Sequence, residues 1–146
     1  MTTIGTIGTL LHHKGHTVWT LPAKATVFEA IQLLAEKNIG ALPVMEEDQL
    51  IGIFSERDYT RKVALAGKSS RATSVREIIT TPVISVTSQH TIEEAMRLMT
   101  EKRVRHLPVI DGGKLTGMVS IGDMVNWIIS AQTATIDQMK SYLAGR

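Results

Sequence analysis

Cysteine is absent from the 146-residue chain, which excludes disulfides, thiolate catalysis and cysteine metal sites while leaving the redox compartment open. No apolar run reaches the roughly 18–20 residues that a membrane-spanning helix needs. The first fourteen residues carry neither a basic leader before an apolar stretch nor an Arg-rich transit pattern, so an intact cytoplasmic chain is expected. An excess of one charge is lacking as well: 16 Lys+Arg stand against 14 Asp+Glu, a formal net charge of +2. That near-tie does not by itself call for a nucleic-acid partner. What is present is the balance of a globular chain, 43% hydrophobic and 21% charged, at a length suited to one compact domain and too short for two ordinary independent ones.

An internal repeat changes what that length means. When Thr26 is set on Thr91, an offset of 65, the halves align without a gap from Val18/Val83 to Arg61/Asn126. Thr26, Glu29, Ala30, Leu33, Glu36, Lys37, Leu42, Pro43, Val44, Leu50, Gly52, Ser55 and Asp58 each match the residue 65 further on. The chain therefore reads as two copies of a unit of about sixty residues, each too small to stand comfortably alone, which should pack together and share a core.

Both copies carry the same periodicities. Val18–Leu21 and Val83–Val86 suggest a strand. Thr26 with Glu29, and Thr91 with Glu94, have the capping-box spacing of a helix start. Val27, Ala30, Ile31 and Leu34, and in the second copy Ile92, Ala95, Met96 and Met99, then recur at helical spacing. Ala41–Met45 with Leu50–Ser55, and His106–Ile110 with Lys114–Ser120, read as strand pairs joined at Glu46–Gln49 and at Asp111-Gly112-Gly113. Each pair leads into a helix starting at Ser55 or Ser120. The expected class is α/β (α+β), two β-α-β-β-α repeats with pseudo-twofold symmetry. Pro43 and Pro108 demote their strands to sheet edges or to places where a missing N–H does no harm. Short helices flank the repeats: Ile4–Lys14, and a last helix capped by Thr135 with Ile136, Met139 and Leu143 on one face. The organisation is then a helix at 1–13, one repeat at 14–67, a linker at 68–78, a second repeat at 79–131, and a C-terminal helix at 132–146.

The chemistry centres on a doubled element, Gly52-Ile-Phe-Ser55-Glu-Arg57-Asp58 and Gly117-Met-Val-Ser120-Ile-Gly122-Asp123. A single Ser-x-x-Asp before a helix is most simply an N-cap with a reciprocal acid. Its recurrence at equivalent strand ends favours a ligand site, because free helix-start amides and a Ser hydroxyl suit an anion while an Asp one turn in can accept from two vicinal ribose hydroxyls. Arg57 stands in the first turn, where Glu56 and Asp58 could equally answer it. Arg105 and His106 occupy the positions held by Gly40 and Ala41 in the first copy, so two otherwise equivalent clefts differ in charge. They are expected to bind different ligands, or one to stay empty.

These residues resemble a tandem pair of cystathionine β-synthase (CBS) domains, a Bateman module, over Lys14 to about Ser130. Phe54–Lys62, Gly67–Ser70 and Arg105–Ile110 are most similar to small stand-alone CBS-pair proteins of bacteria and plant organelles. The resemblance implies a regulatory module that binds AMP, ADP, ATP or NAD(H) between its repeats, in some members S-adenosylmethionine, and passes occupancy to a partner protein. By that resemblance Asp58 and Asp123 hold ribose hydroxyls, and Ser55 and Ser120 help hold phosphate. Ala41, Leu42, Pro43, Leu107 and Pro108 line the adenine slot, with the chain near Trp19 and Ile84 and Thr80 just before it. Arg105 or His106 takes phosphate in one site, and Arg57, Arg61 or Lys62 in the other; Gly122 lies within the second Ser-x-x-Asp element. The resemblance also implies a homodimer.

Other readings weigh less. His12, His13 and His16 could ligate a metal but sit at a helix end without acidic neighbours, so a solvated terminus is the simpler reading. Trp19 is either an adenine-stacking ring or, more simply, a core aromatic. Met96, Met99, Met118 and Met124 read as core filler. A nucleic-acid-binding accessory would use Arg57, Arg61, Lys62, Lys68 and Arg71, against the acidic Glu46-Glu47-Asp48 turn. An enzyme acting on a nucleotide is weaker still, because no nucleophile, base and orienter assemble.

Overall fold

The computed structural model describes residues 5–144. It divides into two compact units, one of residues Val18–Ile84 and one built from the two chain segments on either side of it. The repeat at offset 65 is realised in both.

In the Val18–Ile84 unit the sheet order is β1 (Leu21–Pro22), β2 (Ala41–Glu46), β3 (Gln49–Ser55), with β1 parallel and β3 antiparallel to β2. The first strand is thus shorter and later than Val18–Leu21. Helix α2, the unit's long helix, spans Val27–Lys37 and begins on the expected capping box: the Glu29 amide donates to Thr26 Oγ1 (3.1 Å) and the Thr26 amide to Glu29 Oε1 (3.0 Å). It buries Val27, Ala30 and Leu34 against Leu42, Val44 and Phe54, leaving Ile31 half-buried. Residues 68–78 are more than a linker. The Val27 amide bonds the Thr73 carbonyl, the Val75 amide bonds the Ala25 carbonyl, and Val75 is fully buried.

The other unit contains α1 (Ile7–Lys14), α4 (Ile92–Lys102), β4 (His106–Asp111), β5 (Lys114–Ser120) and α5 (Ile121–Ala144). The α3 of this numbering is the single turn Glu56–Asp58 after β3, which continues as a wider π-type helix over Tyr59–Ala64. Ile92, Ala95 and Met99 are buried from α4, and Met124 from α5; Met96 and Met118 are only half-buried. Val86 makes a single parallel bridge to Val109 where a strand over Val83–Val86 is expected. The missing N–H of Pro108 harms nothing, because its carbonyl, on the same side, accepts from the Val86 amide. In the other unit, β1 reaches only Val44 and Met45, leaving Pro43 beyond the paired stretch.

One expectation is corrected. No separate helix starts at Thr135: α5 runs unbroken from Ile121 to Ala144, and the Thr135 hydroxyl donates to the Ala131 carbonyl one turn back instead of capping. An apolar stripe continues a helix more cheaply than a new nucleus starts one. Of the flanking helices expected at 1–13 and 132–146, residues 1–4 and 145–146 lie outside the described residues.

Both hairpins close with two residues of positive φ, Glu47 (49°) with Asp48 (66°) and Gly112 (58°) with Gly113 (79°), the conformation that matches the twist of paired strands. Glycine adopts it freely in the second turn, whereas Glu47 and Asp48 hold it against Cβ strain.

Candidate functional site

In the Val18–Ile84 unit β3 ends at Ser55 with extended backbone, and the chain turns at once into α3. Asp58 Oδ2 accepts from the Ser55 amide (2.9 Å) and hydroxyl (3.0 Å), while the Asp58 amide donates to Ser55 Oγ (3.2 Å). The second carboxylate oxygen, Oδ1, faces the Lys62 ammonium at 3.2 Å and accepts from the Thr80 hydroxyl at 3.3 Å. Lys62 also donates to the Ile78 carbonyl (3.1 Å). Asp58 is 8% exposed, so this small network satisfies a nearly buried charge. Ala41 lies directly across the sheet from Ser55, and Ala41, Leu42 and Pro43 are all buried.

The second unit repeats the turn with a different cation. Asp123 Oδ2 accepts from the Ser120 amide (2.8 Å), and the Asp123 amide donates to Ser120 Oγ (3.1 Å). The ammonium at this carboxylate belongs to Lys14 in the last turn of α1, 2.6 Å from Asp123 Oδ2 and 2.7 Å from the Met118 carbonyl. His106 stands across from Ser120 as Ala41 does from Ser55, and the Arg105 carbonyl accepts from the Ile121 amide. Arg105 is exposed, His106 half-buried, Leu107 and Pro108 buried, and Gly122 exposed on the first turn of α5.

Several expectations shift. Thr80, placed by sequence beside Ile84 at the entrance to the second copy, is brought to Asp58 instead, because the chain over 79–80 runs along β3 and bridges Thr80 to Ile53. Ile84 is half-buried. Trp19 is not a core aromatic: it is 42% exposed, with the Lys37 ammonium 4.0 Å from its ring centroid. Arg57 and Arg61 are exposed on the turns that follow Ser55. The His12 and His13 rings meet edge-on, His13 packs on Trp127, and His16 Nδ1 lies 3.0 Å from the Thr116 carbonyl. Among the described residues no three His, Cys, Asp or Glu side chains come together as a metal site. Lys14 is the participant that sequence reasoning missed. Nothing local to Lys14 in the sequence points to Asp123, 109 residues further on.

The strand-to-helix turn with a capped carboxylate thus occurs twice, once in each copy of the repeat. The model of the CBS domain matches residues 15–65 and again 75–130. The chain belongs to the CBS-domain family. Among relatives of this CBS pair, the mitochondrial CBS domain-containing protein CBSX3 of Arabidopsis thaliana is 39% identical over 125 residues, 82% of this chain and 61% of the relative. Among solved structures, that of the CBS domain NE2398 is 48% identical with a TM-score of 0.82, covering 85% of this chain and 97% of that one. A hexameric CBS-CP12 protein from bloom-forming cyanobacteria is 32% identical with a TM-score of 0.73, covering 82% and 70%. The CBS pair thus spans about three-fifths of the first of these relatives. Among its described residues no helix is long and apolar enough to cross a membrane.

Proposed function

We propose that this CBS pair is a regulatory module that binds adenosine-containing nucleotides, AMP, ADP, ATP or NAD(H), at its Ser55–Asp58 and Ser120–Asp123 turns without turning them over. One observation carries the reading: both aspartates are fixed by a reciprocal cap, yet each is held in addition by a lysine that an incoming ligand can displace. The cap orients the carboxylate, and the exchangeable contact leaves it an acceptor for vicinal hydroxyls. Buried apolar residues at Ala41–Pro43 and Leu107–Pro108 beside each turn suit a flat base.

Occupancy is passed on because a ligand that binds one conformation better shifts the population towards it, and a partner protein or a second copy reads the shift. The hexameric assembly of the CBS-CP12 relative favours a homo-oligomer as the working form, with a homodimer as its simplest unit. The bacterial and plant relatives are consistent with a cytoplasmic or organellar setting. Nucleic-acid binding is less favoured: of its five cations, Lys62 is tied to Asp58 and Arg71 lies 3.7 Å over the Phe28 ring.

A panel of AMP, ATP and NADH tests the reading by thermal denaturation. At about a hundred times its dissociation constant the cognate nucleotide should add roughly 2.7 kcal/mol of stability. Asp58→Ala with Asp123→Ala should remove that shift while the unliganded protein still melts cooperatively. If no member of the panel moves the melting curve, the reading is wrong.

A further inference from the structure

In the unit that contains α1 and α5, those two helices leave a groove of about 440 Å³ with Asp123 at its border. The volume is that of a small-molecule site rather than a packing defect. His13, Lys14, Asn126, Trp127 and Ser130 line it, five side chains able to donate hydrogen bonds, against Asp123 as the one acid; Leu10, Ala131 and Ala134 are part of the apolar wall. The chemistry is that of a pocket for an anion carried on a partly apolar molecule.

The repeat explains why the donors are here. In the Val18–Ile84 unit the cation on Asp58 is Lys62, one turn further along the same helix. The residue one turn beyond Asp123 is Trp127, which carries no charge. Lys14 supplies the missing cation from α1, and it stands where the carboxylate and the groove meet. Hydroxyls that take Asp123 arrive beside the Lys14 ammonium, which holds its Oδ2 oxygen. A ligand with an anionic arm in the groove would give that ammonium a further charged partner, whereas a neutral ligand would offer it none.

From this the geometry points to the α1–α5 groove as the subsite for the phosphate arm of a ligand whose hydroxyls bind Asp123, with Lys14 as the residue that selects phosphorylated over unphosphorylated molecules. The inference rests on the nucleotide reading above and adds to it a place and a selecting residue. It also ties ligand arrival to α1, whose last turn carries Lys14.

Calorimetric titration of the full chain with AMP and with adenosine provides the test, in an Asp58→Ala background that silences the other turn. With Lys14 in place AMP should bind at least about tenfold tighter than adenosine, the worth of one charge-assisted hydrogen bond. Lys14→Met should collapse that ratio towards unity by weakening AMP, and Lys14→Arg should keep it. Ser130→Phe, which fills the groove without touching Asp123, should weaken AMP and leave adenosine unchanged. AMP binding with a ratio that neither Lys14→Met nor Ser130→Phe alters would overturn the subsite while leaving the nucleotide reading intact. Absence of binding of AMP, ATP and NADH alike in the wild-type chain would overturn both.

Discussion

Asp58 and Asp123 carry the same cap and differ in what else holds them. Asp58 is nearly buried under Lys62 and Thr80, and Asp123 is more open under Lys14. A carboxylate in such a cap has two duties, since it ends a strand cleanly and remains an acceptor for a ligand. Asp111 shows the purely structural version. Its carboxylate accepts from the Ser88 hydroxyl and amide and from the Thr116 hydroxyl, and these bonds hold its pKa below the usual aspartate value. Glu29 and Glu94 are likewise lowered, chiefly by the backbone amides they cap. A carboxyl with a depressed folded pKa contributes stability that is present above its unfolded pKa and lost as the pH falls through the folded one. Stability should therefore decline on acidification below the ordinary carboxylate range. Asp111→Asn should flatten the decline, as followed by urea denaturation at neutral and at acid pH. An unchanged acid limb in that variant would show that the Ser88 and Thr116 bonds do not set it.

At the scale of elements, two glycines at the same place in the repeat are where a flanking segment lies on the sheet. A Cβ on Gly52 in β3 would fall 2.6 Å from Ile79 Cδ1, and one on Gly117 in β5 would fall 2.7 Å from Leu11 Cδ1. Leu11 is fully buried and has nowhere to swing. Gly117→Ala should accordingly cost about 1–3 kcal/mol and lower the melting temperature by several degrees. Adding Leu11→Ala should return part of the loss, a coupling that a cycle of the two variants would measure. Additive losses would mean that α1 does not rest on β5 as described. The same contact delivers Lys14 to Asp123 one turn further along α1, so the packing glycine and the selecting lysine belong to one arrangement.

Across the molecule, the repeat was the legible part. Identities at a constant offset, two capping boxes and two Gly-x-x-Ser-x-x-Asp turns were enough for the order of elements, the strand pairs and both candidate aspartates, because each depends on contacts within a few residues. What was not legible depends on distant contacts. Thr80 belongs with Asp58, and Lys14 with Asp123, because the chain entering a repeat lies along a strand far from it in sequence. Trp19 reads as apolar but is placed at the surface under Lys37. The helix expected from Thr135 is the far half of α5, where Ile136, Met139 and Leu143 are exposed. At about 100° per residue, Val125, Ile129 and these three share one stripe, away from the residues that line the groove. The central claim is that nucleotide binds at the two serine-aspartate turns, and amide-resolved NMR of the full chain titrated with AMP, ATP and NADH tests it most directly. Saturable shifts largest at the amides of Ser55, Asp58, Ser120 and Asp123 are predicted; a spectrum that none of the three nucleotides changes, or shifts confined to amides elsewhere, would contradict the account.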